Sequence, residues 1–479
     1  MTDLYQLTMA YGYWKVGLAE HRSVFHLFFR KNPFAGGYSI AAGLEQVTQL
    51  LKRWKFSKDD RDYLSGLNGN DGQPLFEPDF LTYLTDTPLQ VSLDAIREGT
   101  VVFPHEPLLR VSGPLIQCQL LETALLTIIN FQTLIATKAS RICRAAKGDP
   151  VLEFGLRRAQ GIDGGLSASR AAYIGGCAAT SNVLAGKLYD IPVKGTHAHS
   201  WVMAFSDEPT AFRQYASALP NNCVFLVDTY DTLNGVKNAI EVGQDLRKNG
   251  HEMVGIRLDS GDLSQLSIRA RKLLDEGGFP NASIIASNDL DEYRIQALKE
   301  QGAEIRVWGV GTRMATAYDQ PALGGVYKLA AIKSPAQTWQ YRIKLSEQTI
   351  KTSNPGIQQV RRYYDVNGKA LCDLIYDDGN PPVDPAIMVS TADGKTVIDV
   401  PTTDNHAGFV DLLEPVLRDG HELGERQSAG IARDRCVDQL SSFPETVLSL
   451  SKSADYTVGL CDNLNVEKQR LISISREKR

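Results

Sequence analysis

The run Met253-Val254-Gly255-Ile256-Arg257-Leu258-Asp259-Ser260-Gly261-Asp262 decides the fold. Its apolar opening reads as a short strand covered on both faces. The cation, carboxylates, serine and glycine behind it read as the turn into a helix. The same theme returns at Val151-Leu152-Glu153-Phe154, Ile191-Pro192-Val193, Val224-Phe225-Leu226-Val227, Ser283-Ile284-Ile285-Ala286 and Ile305-Arg306-Val307-Trp308. The runs are spaced about 25–40 residues apart, the length of a βα unit. Apolar strands alternating with helical patterns predict a parallel sheet with helices on both faces. Six units in succession predict an α/β barrel or a doubly wound sheet.

Each run ends in hydrogen-bonding or reactive groups: Arg157 and Arg158; Thr196 and His199; Asp228 and Asp231; Arg257, Asp259 and Ser260; Ser287, Asn288 and Asp289; Gly309, Gly311 and Thr312. In parallel α/β folds the C-terminal strand ends meet on one face, and that face carries the site. Asp, Ser and Asn also serve as helix caps, and capping is the reading for Ser287 to Asp289. Three arginines and a histidine are poor caps, so those positions point to chemistry.

The flanks lack this rhythm. Val24 to Phe29, Val91 to Ile96 and Leu108 to Val111 read as strands; Ile40 to Trp54 and the amphipathic Gln117 to Lys147 read as helices. They predict a separate α+β layer. After Gly325, short strand-like pieces such as Tyr341 to Leu345 and Gln359 to Tyr364 are split by Gly, Pro and Asp, residues 411–452 read as mainly helical, and Ser475 to Arg479 read as a frayed end.

A chain of 479 residues is too long for one ordinary core. With 43% hydrophobic and 22% charged residues and a net charge of −5, it reads as globular, with no basic footprint for nucleic acid. Seven scattered cysteines without a Cys-x-x-Cys pair read as reduced, buried thiols of a cytoplasmic protein rather than a disulfide frame or zinc site. No secretory signal is visible, and the longest apolar segments, such as Leu120 to Ile129, are too short to span a bilayer.

Two of the eight histidines lie in Gly195-Thr196-His197-Ala198-His199-Ser200-Trp201. An imidazole there can carry a proton, bind a metal or act as a nucleophile. Zinc fails for want of a nearby Cys or third His. Gly309-Val310-Gly311-Thr312-Arg313 follows a strand and precedes a helical pattern, so its backbone N–H groups could approach a phosphate. The Arg257 guanidinium matches carboxylate or phosphate oxygens. Asp259 could hold ribose hydroxyls, a Mg²⁺-bound water or Arg257 itself. Phe154 alone reads as core, and Tyr5 as a half-buried tyrosine of an opening helix. A barrel aldolase or isomerase is a rival reading, with Lys194 the lysine nearest a strand end; a non-catalytic ligand-binding protein is another.

Taken together, Gly195 to His199, Glu153 to Gly161, Arg257 to Asp262, Thr2 to Met9, Asn32-Pro33-Phe34, Gly309 to Thr312 and Leu323 to Leu329 resemble, in order, the nicotinate phosphoribosyltransferase family. The resemblance weakens after about residue 335. It implies an irregular TIM-like α/β barrel over residues 121–325, beside a discontinuous α+β domain from 1–120 and 326–479. It implies condensation of nicotinate with 5-phosphoribosyl 1-diphosphate to nicotinate mononucleotide in NAD biosynthesis. His199 is then the histidine phosphorylated by ATP, and His197 has no assigned role. Phe154, together with Tyr5 of a neighbouring subunit, sandwiches the pyridine. Thr196 and Arg257 take the nicotinate carboxylate, while Arg157, Asp259, Gly309, Gly311 and Thr312 take the phosphoribosyl diphosphate. Mg²⁺ is held mainly through the diphosphate, and the working unit is a homodimer with shared active sites. The neutral Thr180-Ser181-Asn182, where the nicotinamide-using relative has an acid, favours nicotinate.

Overall fold

The computed structural model describes residues 1–346, 352–402, 408–424 and 426–477. They divide into two compact units: residues 134–321 with 428–437, and residues 1–133 with 322–427 and 438–479.

The first of these is built on a parallel sheet of β1 (Val151–Glu153), β2 (Ala179–Thr180), β3 (Val224–Leu226), β4 (Gly255–Leu258), β5 (Ser283–Ala286) and β6 (Val307–Val310). Its spatial order is β2-β1-β6-β5-β4-β3, and every adjacent pair is parallel. Helices follow each strand, among them Ile162–Ile174, Thr232–Lys248, Leu263–Glu276 and Glu292–Glu300. Phe225, Leu226, Ile256, Leu258, Ile284, Trp308 and Val310 are all buried, which is why these strands show no polar alternation. The same unit holds a charged knot whose inner members, Lys138, Arg141 and Glu292, are buried while Asp319 reaches the surface: Lys138 Nζ lies 2.7 Å from Glu292 and 2.6 Å from Asp319, and Arg141 Nε donates to Glu292 at 2.9 Å. Each buried charge there has an opposite partner, without which the desolvation cost would stand uncompensated.

The sequence reading is corrected at three places in this unit. Ile191 to Val193 is not a full strand. It makes one bridge, Val193 to Thr180. The chain there stands between the two edge strands: Thr180 N–H donates to the Pro192 carbonyl and Lys194 N–H to the Thr180 carbonyl, each at 3.0 Å. On the other side the Leu226 amide donates to His197 Nε2 at 3.3 Å. Pro192 has no N–H to extend a ladder, so a histidine side chain takes the place of backbone pairing next to β3. Second, β4 and β6 begin two residues later than their apolar runs suggest, which places Arg257 inside β4 rather than after it. Third, the Ser287 to Asp289 turn does not cap a helix; that cap is Asp291, whose carboxylate accepts from the Arg294 amide at 2.8 Å.

The other unit holds two sheets. One is antiparallel and seven-stranded, with Gln340–Tyr341, Val326–Lys333, Arg22–Phe28, Leu109–Pro114, Ser92–Ile96, Leu413–Arg418 and His421–Glu422 in that order. The second has six strands, centred on Gln358–Tyr364, Ala370–Asp377 and Val458–Cys461. In its core Arg362 and Asp373 form a fully buried pair at 2.6 Å, and Arg362 also donates to the Val101 carbonyl at 2.9 Å.

Here too the sequence reading shifts. Residues 411–452 are not mainly helical: Gly408–Asp411, Leu413–Arg418 and His421–Glu422 are strands, and Ala429–Ser441 is the helix. Leu413–Arg418 pairs along Ser92–Ile96, with Leu413 opposite Ile96 and Leu417 opposite Leu93. A partner about 320 residues away in sequence settles that conformation, which local pattern does not contain. Tyr341 to Leu345 supplies only Gln340–Tyr341 to a strand, and Ile40 belongs to the strand Ser39–Ile40, ahead of the helix Leu44–Lys52. The expected helix from Gln117 to Lys147 is two, Leu115–Leu120 and Glu122–Ala145. At the C-terminus the helix Asp462–Glu477 continues through Ser475 to Glu477; Lys478 and Arg479 lie outside the described residues.

All seven cysteines are free. No helix among the described residues is long and apolar enough to cross a membrane.

Candidate active site at the strand ends of the parallel sheet

A cavity of about 540 Å³ opens at the C-terminal ends of the parallel strands. Phe154, Arg157, Thr196, Arg257, Asp259, Gly309, Gly311 and Thr312 all line it, so eight of the ten expected site residues meet at one place. His199 stands beside them, and Tyr5 lies in the helix Leu4–Lys15 of the other unit with half its surface exposed. Ser181, His197, Ser287, Asn288 and Asp289 also line the cavity without having been expected there as binding groups.

The strands explain why these side chains face inward. Arg257 alternates with the buried Ile256 and Leu258 on β4. Its Nη1 donates to Thr196 Oγ1. Its buried Nε has no hydrogen-bond partner among the described residues. Burial lowers the guanidinium pKa, Asp259 and Asp228 oppose that shift, and the Arg157 charge adds to it. An orphaned N–H on a desolvated cation costs free energy unless a ligand meets it. Three guanidinium groups, Arg157, Arg158 and Arg257, line the cavity against two carboxylates, Asp259 and Asp289. The mouth is therefore suited to anions.

Phe154 follows β1, and its amide donates to the Val310 carbonyl at 2.8 Å. Its ring covers Gly309: a Cβ on Gly309 would lie 2.8 Å from the ring. The glycine there permits close approach of the aromatic ring. Gly311 precedes the one-turn helix Thr312–Ala315. Behind the ring, Glu153 is buried and fully engaged. Its Oε1 accepts from the Gly155 amide, and its Oε2 accepts from Ser169 at 2.9 Å and Thr180 at 2.6 Å. Asn182 caps the helix Val183–Tyr189. Of the neutral Thr180–Asn182 segment, only Ser181 reaches the cavity.

The two histidines have different surroundings. His197 is buried, lies against Tyr215 with ring centroids 4.9 Å apart, and accepts the Leu226 amide on Nε2. Burial takes its pKa down to about 4, so it is neutral at physiological pH. His199 is 38% exposed at its side chain. Its Nδ1 lies 3.1 Å from Thr229 Oγ1, and its Nε2 lies 3.9 Å from Asp228 Oδ1 and 3.8 Å from Asp259 Oδ2. Asp228 is buried. Its Oδ2 accepts from the Asp259 amide at 2.9 Å and from Ser260 Oγ at 2.6 Å, while its Oδ1 has no hydrogen-bond partner among the described residues. Asp259 Oδ1 accepts from Ser287 Oγ.

The acids at the strand ends therefore divide by position. Asp231, Asp262 and Asp291 cap the following helices through amides two or three residues on. Asp228, Asp259 and Asn288, each three residues earlier, stay at the strand ends. That recurring interval was the available signal for Asp228 and Asn288. Lys194 is exposed and does not line the cavity, which leaves an aldolase no Schiff-base lysine. Among the described residues no group of three or more His, Cys, Asp or Glu is placed to hold a metal.

Three family models cover the chain in order: the nicotinate phosphoribosyltransferase N-terminal domain at residues 1–130, the nicotinate phosphoribosyltransferase family at 151–367, and the nicotinate phosphoribosyltransferase C-terminal domain at 357–467. The nicotinate phosphoribosyltransferase of Bacillus subtilis is 51% identical, over 75% of this chain and 72% of its own. That of Dictyostelium discoideum is 39% identical, over 97% of this chain and 86% of its own. The crystal structure of human nicotinic acid phosphoribosyltransferase superposes with a TM-score of 0.85 at 32% identity, covering 98% of this chain and all of that one. This chain belongs to the nicotinate phosphoribosyltransferase family.

Proposed function

We propose that this protein condenses nicotinate with 5-phosphoribosyl 1-diphosphate, releasing nicotinate mononucleotide and diphosphate, and that ATP drives the reaction through phosphorylation of His199. The observation that carries the reading is the desolvated Arg257, with its unpartnered Nε, beside Thr196 and Phe154 in an anion-suited cavity.

The carboxylate of nicotinate pairs with Arg257 and Thr196, and the flat ring lies on Phe154. Arg157, Asp259 and the Gly309–Thr312 turn hold the phosphoribosyl diphosphate. The C–O bond at the anomeric carbon breaks as diphosphate leaves, and the pyridine nitrogen attacks with its own lone pair. No strong base is needed. The work of the site is to position two anions and take up the charge of the leaving group. Mg²⁺ would be held mainly through the diphosphate, and Asp259, which lines the cavity, is the carboxylate that would face it. Bound there with diphosphate, the ion would neutralise leaving-group charge.

Of the two histidines, His199 is suited to nucleophilic attack on the γ-phosphate of ATP, because it is accessible and its Nδ1 is oriented by Thr229. His197 is committed to the sheet through Leu226. The free thiols suit a reducing, cytoplasmic setting.

Selectivity tests this reading. Nicotinate should be used at least about tenfold better than nicotinamide, because the amide leaves Arg257 without a charged partner and the nearby Glu153 is fully engaged. Initial rates with the two substrates decide it, and equal or better use of nicotinamide would sink the assignment.

The working unit is a homodimer in which Tyr5 of one chain covers the pyridine in the site of the other. Half the surface of Tyr5 is exposed, although it is an aromatic residue. Stacking on a second aromatic face is worth about 0.5–1.5 kcal/mol beyond burial. Inactive Tyr5→Ala chains mixed with inactive chains carrying His199→Asn and Arg257→Ala should regain activity towards about a quarter of wild type, since half the random dimers rebuild one of two sites. If mixing restores nothing, Tyr5 acts within its own chain.

A further inference from the structure

A second, smaller cavity of about 80 Å³ lies in the unit formed by residues 1–133, 322–427 and 438–479, and no step of the reaction uses it. Its charged centre is Lys468, on the helix Asp462–Glu477. The Lys468 ammonium donates to Asn354 Oδ1 at 2.8 Å. Among the described residues it has no carboxylate partner. Burial alone brings its pKa down to about 8, so it remains largely charged at neutral pH. Half-buried ammonium groups usually find a carboxylate, and this one lines a cavity instead.

The rest of the lining fits an anion. His105 sits on the wall in a left-handed backbone conformation with φ of 72°, which costs a non-glycine residue free energy and tends to be retained where function needs it. Arg30 lies near enough to act electrostatically on His105, so a second fixed positive charge contributes to the potential there. Ser390 adds a hydroxyl group, while the Thr391 hydroxyl is committed to the Val458 carbonyl at 3.0 Å. The one acid of the lining, Asp393, is turned into its own loop, where it accepts from the Lys395 amide at 2.8 Å and the Thr396 amide at 3.0 Å. A volume of about 80 Å³ holds a tetrahedral oxyanion and excludes a nucleotide.

We propose that the Lys468–Asn354–His105 cavity is a binding site for a small oxyanion of the inorganic phosphate type, distinct from the cavity at the strand ends of the parallel sheet. Lys468 supplies the charge, Asn354 orients the ammonium, and the Ser390 hydroxyl, which accepts from the Ala392 amide and keeps its own proton to donate, adds to the shell.

Equilibrium dialysis with labelled inorganic phosphate tests this on the full chain. Wild type should bind one equivalent per chain more than Lys468→Met, or bind that equivalent at least tenfold more tightly. Lys468→Arg should retain it. Lys468→Met should keep nicotinate mononucleotide synthesis in the absence of added phosphate, which shows that the variant is folded. Should that variant fail to fold, Asn354→Ala is read instead, with the same loss expected. Equal phosphate binding by wild type and a folded variant overturns the proposal, as does the absence of binding to wild type at millimolar phosphate. Because the readout is phosphate binding, a protein that lacked nicotinate activity would leave this result intact.

Discussion

His199→Asn is expected to abolish ATP hydrolysis and the stimulation of synthesis by ATP, a loss of about 10³-fold or more in the coupled reaction, while slow uncoupled synthesis persists. A phosphoimidazole stores free energy in a readily hydrolysed P–N bond. Asparagine keeps much of the polar shape but has no ring nitrogen to carry phosphate. His199 has the geometry for the role, with one nitrogen 3.1 Å from Thr229 and the other facing Asp228 and Asp259. His197→Asn should behave differently. It removes the acceptor for the Leu226 amide and so lowers stability, without abolishing labelling by ATP. The check is transfer of label from γ-labelled ATP to protein. Label that persists in His199→Asn would refute the assignment.

Arg257→Lys is expected to raise the KM for nicotinate by about 10–100-fold, since one well-placed charged hydrogen bond contributes roughly 1.5–3 kcal/mol. Lysine keeps the charge and loses the fork. The loss has two parts here: the Nη1 donor to Thr196 and the unpartnered Nε that a carboxylate would meet. Arg271→Lys is the control. Arg271 has ordinary partners away from the site, donating to the Ala282 carbonyl at 2.7 Å and to Asp275 at 2.9 Å, and its substitution should leave KM within about threefold. A change at Arg257 below about threefold would move the carboxylate to Arg157, which lines the same cavity.

Much of the parallel-sheet unit was readable in the sequence because its strands are buried on both faces and their apolar runs need no partner to be recognised. Arg257, Asp259 and Gly309 could be placed for the same reason: each sits at or just beyond such a run; Thr196 follows Ile191-Pro192-Val193, an apolar run that makes one bridge rather than a strand. What escaped depended on contacts distant in sequence. Ala179–Thr180 is two residues long and shows no period, yet it forms an edge of the parallel sheet. Leu413–Arg418 becomes a strand only against Ser92–Ile96. Ser287 was read as capping a helix, a role that Asp291 fills, which frees Ser287 to donate to Asp259. Asp228 was visible at a strand end, but its unpartnered oxygen near His199 follows only from how the Asp259 amide and Ser260 occupy the other one. Lys468 carries no local signal at all, because its partner Asn354 and the rest of the cavity lining lie far from it in sequence.

The most direct test of the whole account is a product count. Purified protein is given labelled nicotinate, 5-phosphoribosyl 1-diphosphate and Mg²⁺, with and without ATP, and nicotinate mononucleotide and diphosphate are measured together. The account predicts labelled nicotinate mononucleotide with one diphosphate released per nucleotide, and faster accumulation when ATP is present. Failure to form labelled nucleotide under either condition would contradict it.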